Sequence, residues 1–334
     1  MKRGFLLMNT GSPDAPTETA LHSYLGEFLM DPYVIDLPKP LRYLLVKGLI
    51  LPRRPAESAK AYASIWTDKG SPLVHYCSQL THALQSKYNE PIELGMAYGT
   101  PSFKNALEKL LSAGAEEICL LPMFPQYAMS TVGSCLAGVK KALKGRAPLR
   151  IVPPFYKEPT YIQPLANALK GTEEHILFSY HGLPLRHLKK TDPTGHHCMS
   201  SAECCHEASI AHDTCYRYQC LSTTREIVEA ASIKEGQYSV SFQSRLGRDK
   251  WMEPYTEEML RTLPLNGKKN LVVVCPAFFC DCLETLEEIE IRGRELFMEA
   301  GGESFRVIPC LNDSEAGINC LNILMTNAAN WPLV

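Results

Sequence analysis

An α/β fold with parallel sheets flanked by helices is what this sequence predicts, and three observations carry it. Short apolar runs alternate with longer amphipathic stretches, the pattern of βαβ units. Most of the runs are continuously apolar and do not alternate, which suits strands covered on both faces. A length of 334 residues accommodates two domains, each with its own core.

In chain order, Gly4–Met8 reads as a strand that stops at the turn formers Gly11-Ser12-Pro13. Helices follow over Thr17–Phe28 and Leu73–Tyr88, with strands over Ile92–Met96 and Glu117–Leu121 and helices over Ser102–Ala113 and Thr131–Leu143. Val152-Pro153-Pro154-Phe155 is a hinge, placing a first domain over 1–155 and a second over 156–311. The second half offers strands Ile176–Ser179, Tyr238–Phe242 and Leu271–Val274, and helices Pro159–Leu169, Ala211–Ala230 and Cys282–Ala300. Tandem repeats and low-complexity tracts are absent.

Composition narrows the function. With 45% hydrophobic and 21% charged residues the chain is an ordinary globular one, so disorder is not expected. A net charge of -2 lacks the basic excess of a nucleic-acid binder. The fingerprint GxGxxG follows none of the candidate strands, which argues against a nicotinamide enzyme. No apolar stretch approaches the roughly 18 to 20 residues that span a bilayer, and Phe5–Met8 is too short for a signal peptide. The expected location is the cytoplasm. Leu41–Leu51, followed by Arg53 and Arg54, reads either as a buried helix or as a lip touching a membrane surface, a peripheral contact.

Ligands of open α/β sheets lie beyond the carboxyl ends of the strands, so the residues that follow the apolar runs are the informative ones. There stand Tyr180-His181-Gly182-Leu183-Pro184, Gln243-Ser244-Arg245 and Cys275-Pro276-Ala277-Phe278-Phe279. His181, at a strand end beside a glycine, suits proton transfer near neutral pH or metal binding. Glu284 and Glu288, four apart, share a helix face with Glu287 beside them. Such a row either complements the helix dipole or, because like charges repel, awaits a cation. The aromatics Phe124, Tyr127, Phe155, Tyr156, Phe242, Trp251, Tyr255, Phe278 and Phe279 would wall a flat macrocycle.

Of the 13 cysteines, five fall between Cys198 and Cys220, a clustering that favours a metal site over a disulfide framework. With a helix opening at Cys198, Cys205 returns to the same face and Cys204 does not; Cys198, Cys205, Cys215 and Cys220 become the ligands. His196, His197, His206 and His212 are alternative donors. The donor set fits zinc or an iron–sulfur cluster, and the absence of paired CxxC spacing points to [2Fe–2S].

Collinear motifs extend this reading along nearly the whole chain. They are Asn9-Thr10-Gly11-Ser12-Pro13, Glu27 to Pro32, Gly70 to Leu73, Tyr98 to Ser102, Pro125-Gln126-Tyr127, Ser179 to Pro184, Gln243 to Gly247, Trp251 with Pro254-Tyr255-Thr256, and Asp281 to Leu286. In this order they resemble the ferrochelatase family. The resemblance implies two Rossmann-like, chelatase-type domains facing a porphyrin cleft, with a C-terminal helix at about 312–330 returning to the first domain and a cysteine-rich insertion at about 196–222. It implies His181 as the catalytic histidine, accepting pyrrole protons or ligating iron, and Glu284 as the metal-site glutamate, with Glu288 further along the acidic face. Ferrous iron would be the substrate metal and protoporphyrin IX the partner, with coproporphyrin III a close variant. Departures from the family pattern stand at Thr10, Gly26, Tyr33 and Ala97 and concern contacts to the porphyrin carboxylates. The tail Leu321–Val334 lacks cysteine, so a cluster would use the internal insertion. Two readings of other classes remain: an iron–sulfur redox sensor and a tetrapyrrole carrier without turnover.

Overall fold

The computed structural model describes residues 2–245, 247 and 249–334; Leu246 of the Gln243-to-Gly247 motif lies outside the described residues. The chain divides into two compact units. The first comprises Met1–Phe124, Met129–Pro153 and Asn312–Val334, the second Pro125–Ala128 and Pro154–Leu311.

The first unit holds a parallel sheet of order β2-β1-β3-β4, with β1 over Arg3–Ser12, β2 over Ile92–Gly99, β3 over Glu117–Pro122 and β4 over Leu149–Ile151. Gly4 to Met8 and all of β3 are buried, the consequence of covering by helices on both faces. Glu18–Leu29 is capped by the Thr17 hydroxyl, and Pro72–Gln85 opens on proline, as helix starts favour. The C-terminal helix Glu315–Thr326 packs on Pro72–Gln85, where the Tyr88 hydroxyl meets Asn322 Oδ1 at 3.0 Å.

The second unit repeats the topology: β6-β5-β7-β8, with β5 over His175–His181, β6 over Tyr238–Gln243, β7 over Asn270–Val274 and β8 over Ser304–Ile308, all parallel. In both sheets the first strand is flanked by the second and third, so chain order switches at its edge, where such folds bind ligands.

Edge strands β4 and β8 escape a reading by apolar runs because each is short and carries an arginine. Arg150 Nε donates to Glu117 Oε1 at 2.7 Å, and Arg306 Nε donates to Glu174 Oε2 at 2.8 Å. The expected helix Ala211–Ala230 is interrupted: a 3₁₀ turn Ile210–Asp213 ends at Thr214, and the α-helix runs Tyr216–Ala231. The expected helix Cys282–Ala300 is a π-helix over Glu284–Gly293 continued by Arg294–Glu299, and Thr131–Leu143 likewise opens within the π-turn Met129–Gly133.

Gly95 of β2 faces the start of helix Phe103–Ser112, and a Cβ there would lie 2.5 Å from Phe103 Cα. Backbone cannot yield as a side-chain tip can. Gly95→Ala should therefore destabilise the chain by about 1–3 kcal/mol, read as a lowered denaturant midpoint; an unchanged midpoint contradicts this packing.

Candidate active site

β5 is buried along its length until its last residue, His181, emerges at the carboxyl end of the sheet. His181 Nδ1 lies 2.6 Å from the Gly182 carbonyl oxygen. A carbonyl only accepts, so Nδ1 carries the hydrogen and neutral His181 keeps its lone pair on Nε2, free to take a proton or bind a metal. Gly182 is required by close approach: its N–H donates to Gln243 O at 2.8 Å, and a Cβ would stand 2.7 Å from that oxygen. Phe278, in the loop after β7, meets the His181 ring edge-on at 6.3 Å.

The loop after β7 leads into the π-helix at Glu284. The Gln243 amide donates to the Glu284 carbonyl at 2.9 Å, tying the end of β6 to the first residue of that helix. Four residues on, the Glu288 carboxylate accepts the Ser244 N–H at 2.8 Å and the Ser244 hydroxyl at 2.5 Å. Burial pushes the Glu288 carboxyl up; the Ser244 hydroxyl and nearby His181 oppose this, and Glu284 adds to it. His181, Glu284 and Glu288 thus share one electrostatic neighbourhood. Glu287 does not join the row: it pairs at 2.8 Å with Arg292, five residues on, the spacing of a π-helix.

Of the aromatics expected as walls, Phe155 and Phe279 are core, stacked around buried Tyr161. Tyr255 lies under the Arg245 guanidinium at 4.6 Å, and Phe278 packs on His181. An apolar run at the end of a strand does not distinguish core from wall, so the sequence leaves these roles open.

Helix geometry fails in the cysteine segment. Residues 193–209 form turns without a helix, so the reasoning that set Cys204 aside has no basis in the structure. Cys198, Cys204, Cys205 and Cys215 form one buried cluster around Ala211, all as free thiols. Cys220 stands outside it on the helix Tyr216–Ala231, accepting from the Tyr216 hydroxyl one turn away. The alternative histidines are engaged elsewhere: His197 Nε2 and His212 Nε2 lie 2.7 and 3.3 Å from the Cys204 carbonyl, and His196 Nδ1 lies 2.8 Å from the Thr194 carbonyl. His206 pairs loosely with Glu203 at 3.9 Å. Among the described residues no group of three or more His, Cys, Asp or Glu is arranged to hold a metal ion, so neither the thiols nor the carboxylates are a preformed coordination shell.

Asp192 shapes the cysteine loop and went unseen in the sequence, although Asp-Pro-Thr-Gly is a turn signal. Its carboxylate accepts the N–H groups of Thr194, His197 and Cys198, each at 2.8 Å, which hold it far below the usual carboxylate range despite burial. Ser179, Gln243, Ser244 and Thr256 are further polar residues whose positions in the motifs did not reveal their partners. Their signal is a polar residue at the end of an apolar run.

The ferrochelatase family model matches residues 2–329. A ferrochelatase of Ectopseudomonas mendocina is 50% identical over 333 residues, covering 97% of this chain and 97% of that protein. A ferrochelatase of Azotobacter vinelandii is 48% identical over 325 residues, covering 95% of this chain and 96% of that protein. Among solved structures, SirB from Bacillus subtilis with Fe3+ aligns with a TM-score of 0.52 at 10% identity, over 98% of this chain and 96% of that one. The sirohydrochlorin chelatase SirB of Bacillus subtilis subspecies spizizenii, in complex with cobalt, aligns with a TM-score of 0.53 at 11% identity, over 99% and 96%. At such identities the structures speak for the fold alone, an α/β architecture with two parallel sheets. The match over nearly the whole length of both chains decides the family: this protein belongs to the ferrochelatases, enzymes that insert a metal into a porphyrin.

Proposed function

We propose that the chain inserts ferrous iron into protoporphyrin IX, with His181 as proton acceptor and Glu284 and Glu288 as the carboxylates that bring the metal. The observation that carries this reading is one end of one sheet, where an imidazole with its Nε2 lone pair free shares a neighbourhood with two carboxylates on a π-helix. The chemistry needs this combination. A neutral porphyrin that takes up Fe²⁺ must release two pyrrole protons, so the site needs a base of near-neutral basicity and anionic oxygens for a divalent cation. Coproporphyrin III is the close variant. In an anaerobic assay, purified protein should form haem from ferrous iron and protoporphyrin IX. His181→Ala and Glu284→Gln should each lower kcat/KM about 100-fold or more, the scale of a lost general base or charge contact. Folded protein that forms no haem with either porphyrin would sink the assignment, and porphyrin binding without turnover would favour a carrier.

We also propose that Cys198, Cys204, Cys205 and Cys215 hold a [2Fe–2S] cluster. Support comes from the donor set: four free thiols brought together in a loop without regular structure. The Cys205 thiol is pushed up by its hydrogen bond with Cys215 and then by burial, and a bound cation would displace its proton. When bound, such a cluster supplies one-electron chemistry and fastens the loop. Anaerobically purified protein should be coloured; Cys204→Ala should lose the colour and Cys220→Ala keep it. Colourless protein with stoichiometric zinc would replace the cluster by a zinc site.

The third proposal concerns the segment Leu41–Leu51. Arg42 fastens it by donating to the Ile35 and Leu37 carbonyls, and Val46 and Leu51 pack on Leu29. On its other side Leu41, Leu44 and Leu49 are 56%, 69% and 52% exposed. No helix among the described residues is long and apolar enough to cross a membrane. An exposed apolar face with Lys39, Lys47, Arg53 and Arg54 nearby fits peripheral contact with an anionic membrane surface of the cytoplasm. Co-sedimentation with anionic liposomes is expected and should fall in Leu44→Ser; failure of the wild type to bind removes the proposal.

A further inference from the structure

Ser244 is the residue in the second unit that pairs a strained backbone with a grip on a site carboxylate. Its φ is +68°, in the left-handed region that side chains other than glycine, asparagine and aspartate rarely enter. It follows the strand pairing directly, since Gln243, the residue before it, stands opposite His181 in the register of β5 and β6. In this conformation both donors of Ser244 reach the same carboxylate, N–H to one oxygen of Glu288 at 2.8 Å and hydroxyl to the other at 2.5 Å. The neighbouring cation is turned elsewhere, with Arg245 over the Tyr255 ring. Gln243 meanwhile holds the backbone of Glu284. The end of β6 therefore fixes the acidic stripe at two points, one through its backbone and one through its chemistry.

We propose that Ser244 is a positioning residue for metal uptake: it clamps the Glu288 carboxylate in one orientation beside His181 and Glu284, leaving its other lone pairs for the incoming divalent cation. A carboxylate has about four lone-pair sites, and two donors leave about two. Without the clamp, Glu288 on its flexible stem would spread over rotamers, and the entropy of ordering it would fall on the binding of the metal. The clamp rests on the reading of Glu288 as a metal-site carboxylate and specifies how that site is set.

The test is anaerobic iron-insertion kinetics with ferrous iron varied at saturating protoporphyrin IX, on wild type, Ser244→Ala, Ser244→Gly, Glu288→Gln and the double variant Ser244→Ala with Glu288→Gln. Ser244→Ala should raise KM for iron about tenfold or more, the effect of losing a hydrogen bond to a charged group, while KM for porphyrin stays at the wild-type value. Ser244→Gly, which relieves the backbone and folds readily, should show the same rise. In the double variant the loss should be no greater than in Glu288→Gln alone. Recovery of wild-type KM by the glycine variant, multiplicative effects in the double variant, or equal shifts in both KM values would overturn the clamp. A wild-type enzyme with turnover and a silent Glu288→Gln would remove the metal role of Glu288 and the clamp with it. A wild type without turnover would fail the functional reading first.

Discussion

At the carboxyl edge of the second sheet, the Gln243 side chain is bonded at both ends of its amide. Oε1 accepts the Ser179 hydroxyl at 2.7 Å and Nε2 donates to the Glu284 carbonyl at 2.9 Å. Ser179 Oγ also lies 2.8 Å from Thr256 Oγ1, which lies 2.8 Å from Ser241 Oγ. A hydroxyl has one hydrogen, and Ser179 has given its own to Gln243, so Thr256 donates to Ser179 and Ser241 donates to Thr256. The chain runs in one direction, Ser241 to Thr256 to Ser179 to Gln243 to the first residue of the π-helix. Aligned donors of this kind strengthen one another in a buried setting. Any member replaced by an apolar residue leaves a buried partner unpaired, which costs about 1–3 kcal/mol. Polar bonds inside the sheet therefore fix the first residue of the acidic helix near His181, alongside the packing of Ile289 in the core.

How much of this is legible in the sequence follows from what each signal measures. The six predicted strands announce themselves because most are covered on both faces and are therefore largely apolar. The edge strands Leu149–Ile151 and Ser304–Ile308 are half polar, since Arg150 and Arg306 reach back to carboxylates on neighbouring elements, and they read as loops. His181 and Glu284 are visible because strand ends and helix starts are chemically conspicuous positions. The π-helix is invisible, because the residues Glu284–Gly293 suit an α-helix equally well. The helical period that sets Cys204 apart is likewise missing from the structure, because the Asp192 carboxylate gathers the backbone of Thr194, His197 and Cys198 into turns.

Both sheets have the same strand order, yet they carry different chemistry. At the end of β1 the chain passes Gly11-Ser12-Pro13, whose glycine at φ +109° takes the turn against the Tyr98 carbonyl, and the Asp31 carboxylate binds the hydroxyls of Tyr98 and Ser134 at 2.8 and 2.6 Å. There the carboxylate is taken up by hydroxyls within the unit. At the end of β5 the equivalent position holds His181 with a lone pair unengaged at Nε2. Topology places a ligand site at such an edge, and the loops decide what it does.

The acidic stripe is the point where stability and function oppose each other. Two carboxylates four residues apart, one of them raised by burial, would be relieved at least expense by replacing one of them or by pairing it with a cation, as Glu287 is paired with Arg292. Glu288 receives only neutral donors from Ser244, and a neutral donor orients a carboxylate without discharging it. On the proposed reading, an arriving divalent ion would meet Glu288 already oriented beside Glu284 and would relieve their repulsion. A salt bridge at Glu288 would instead occupy the lone pairs that the proposed metal role needs. Under that proposal the ion must also leave again for the pyrrole nitrogens, and carboxylates held by neutral donors would release it more readily than a complete cage.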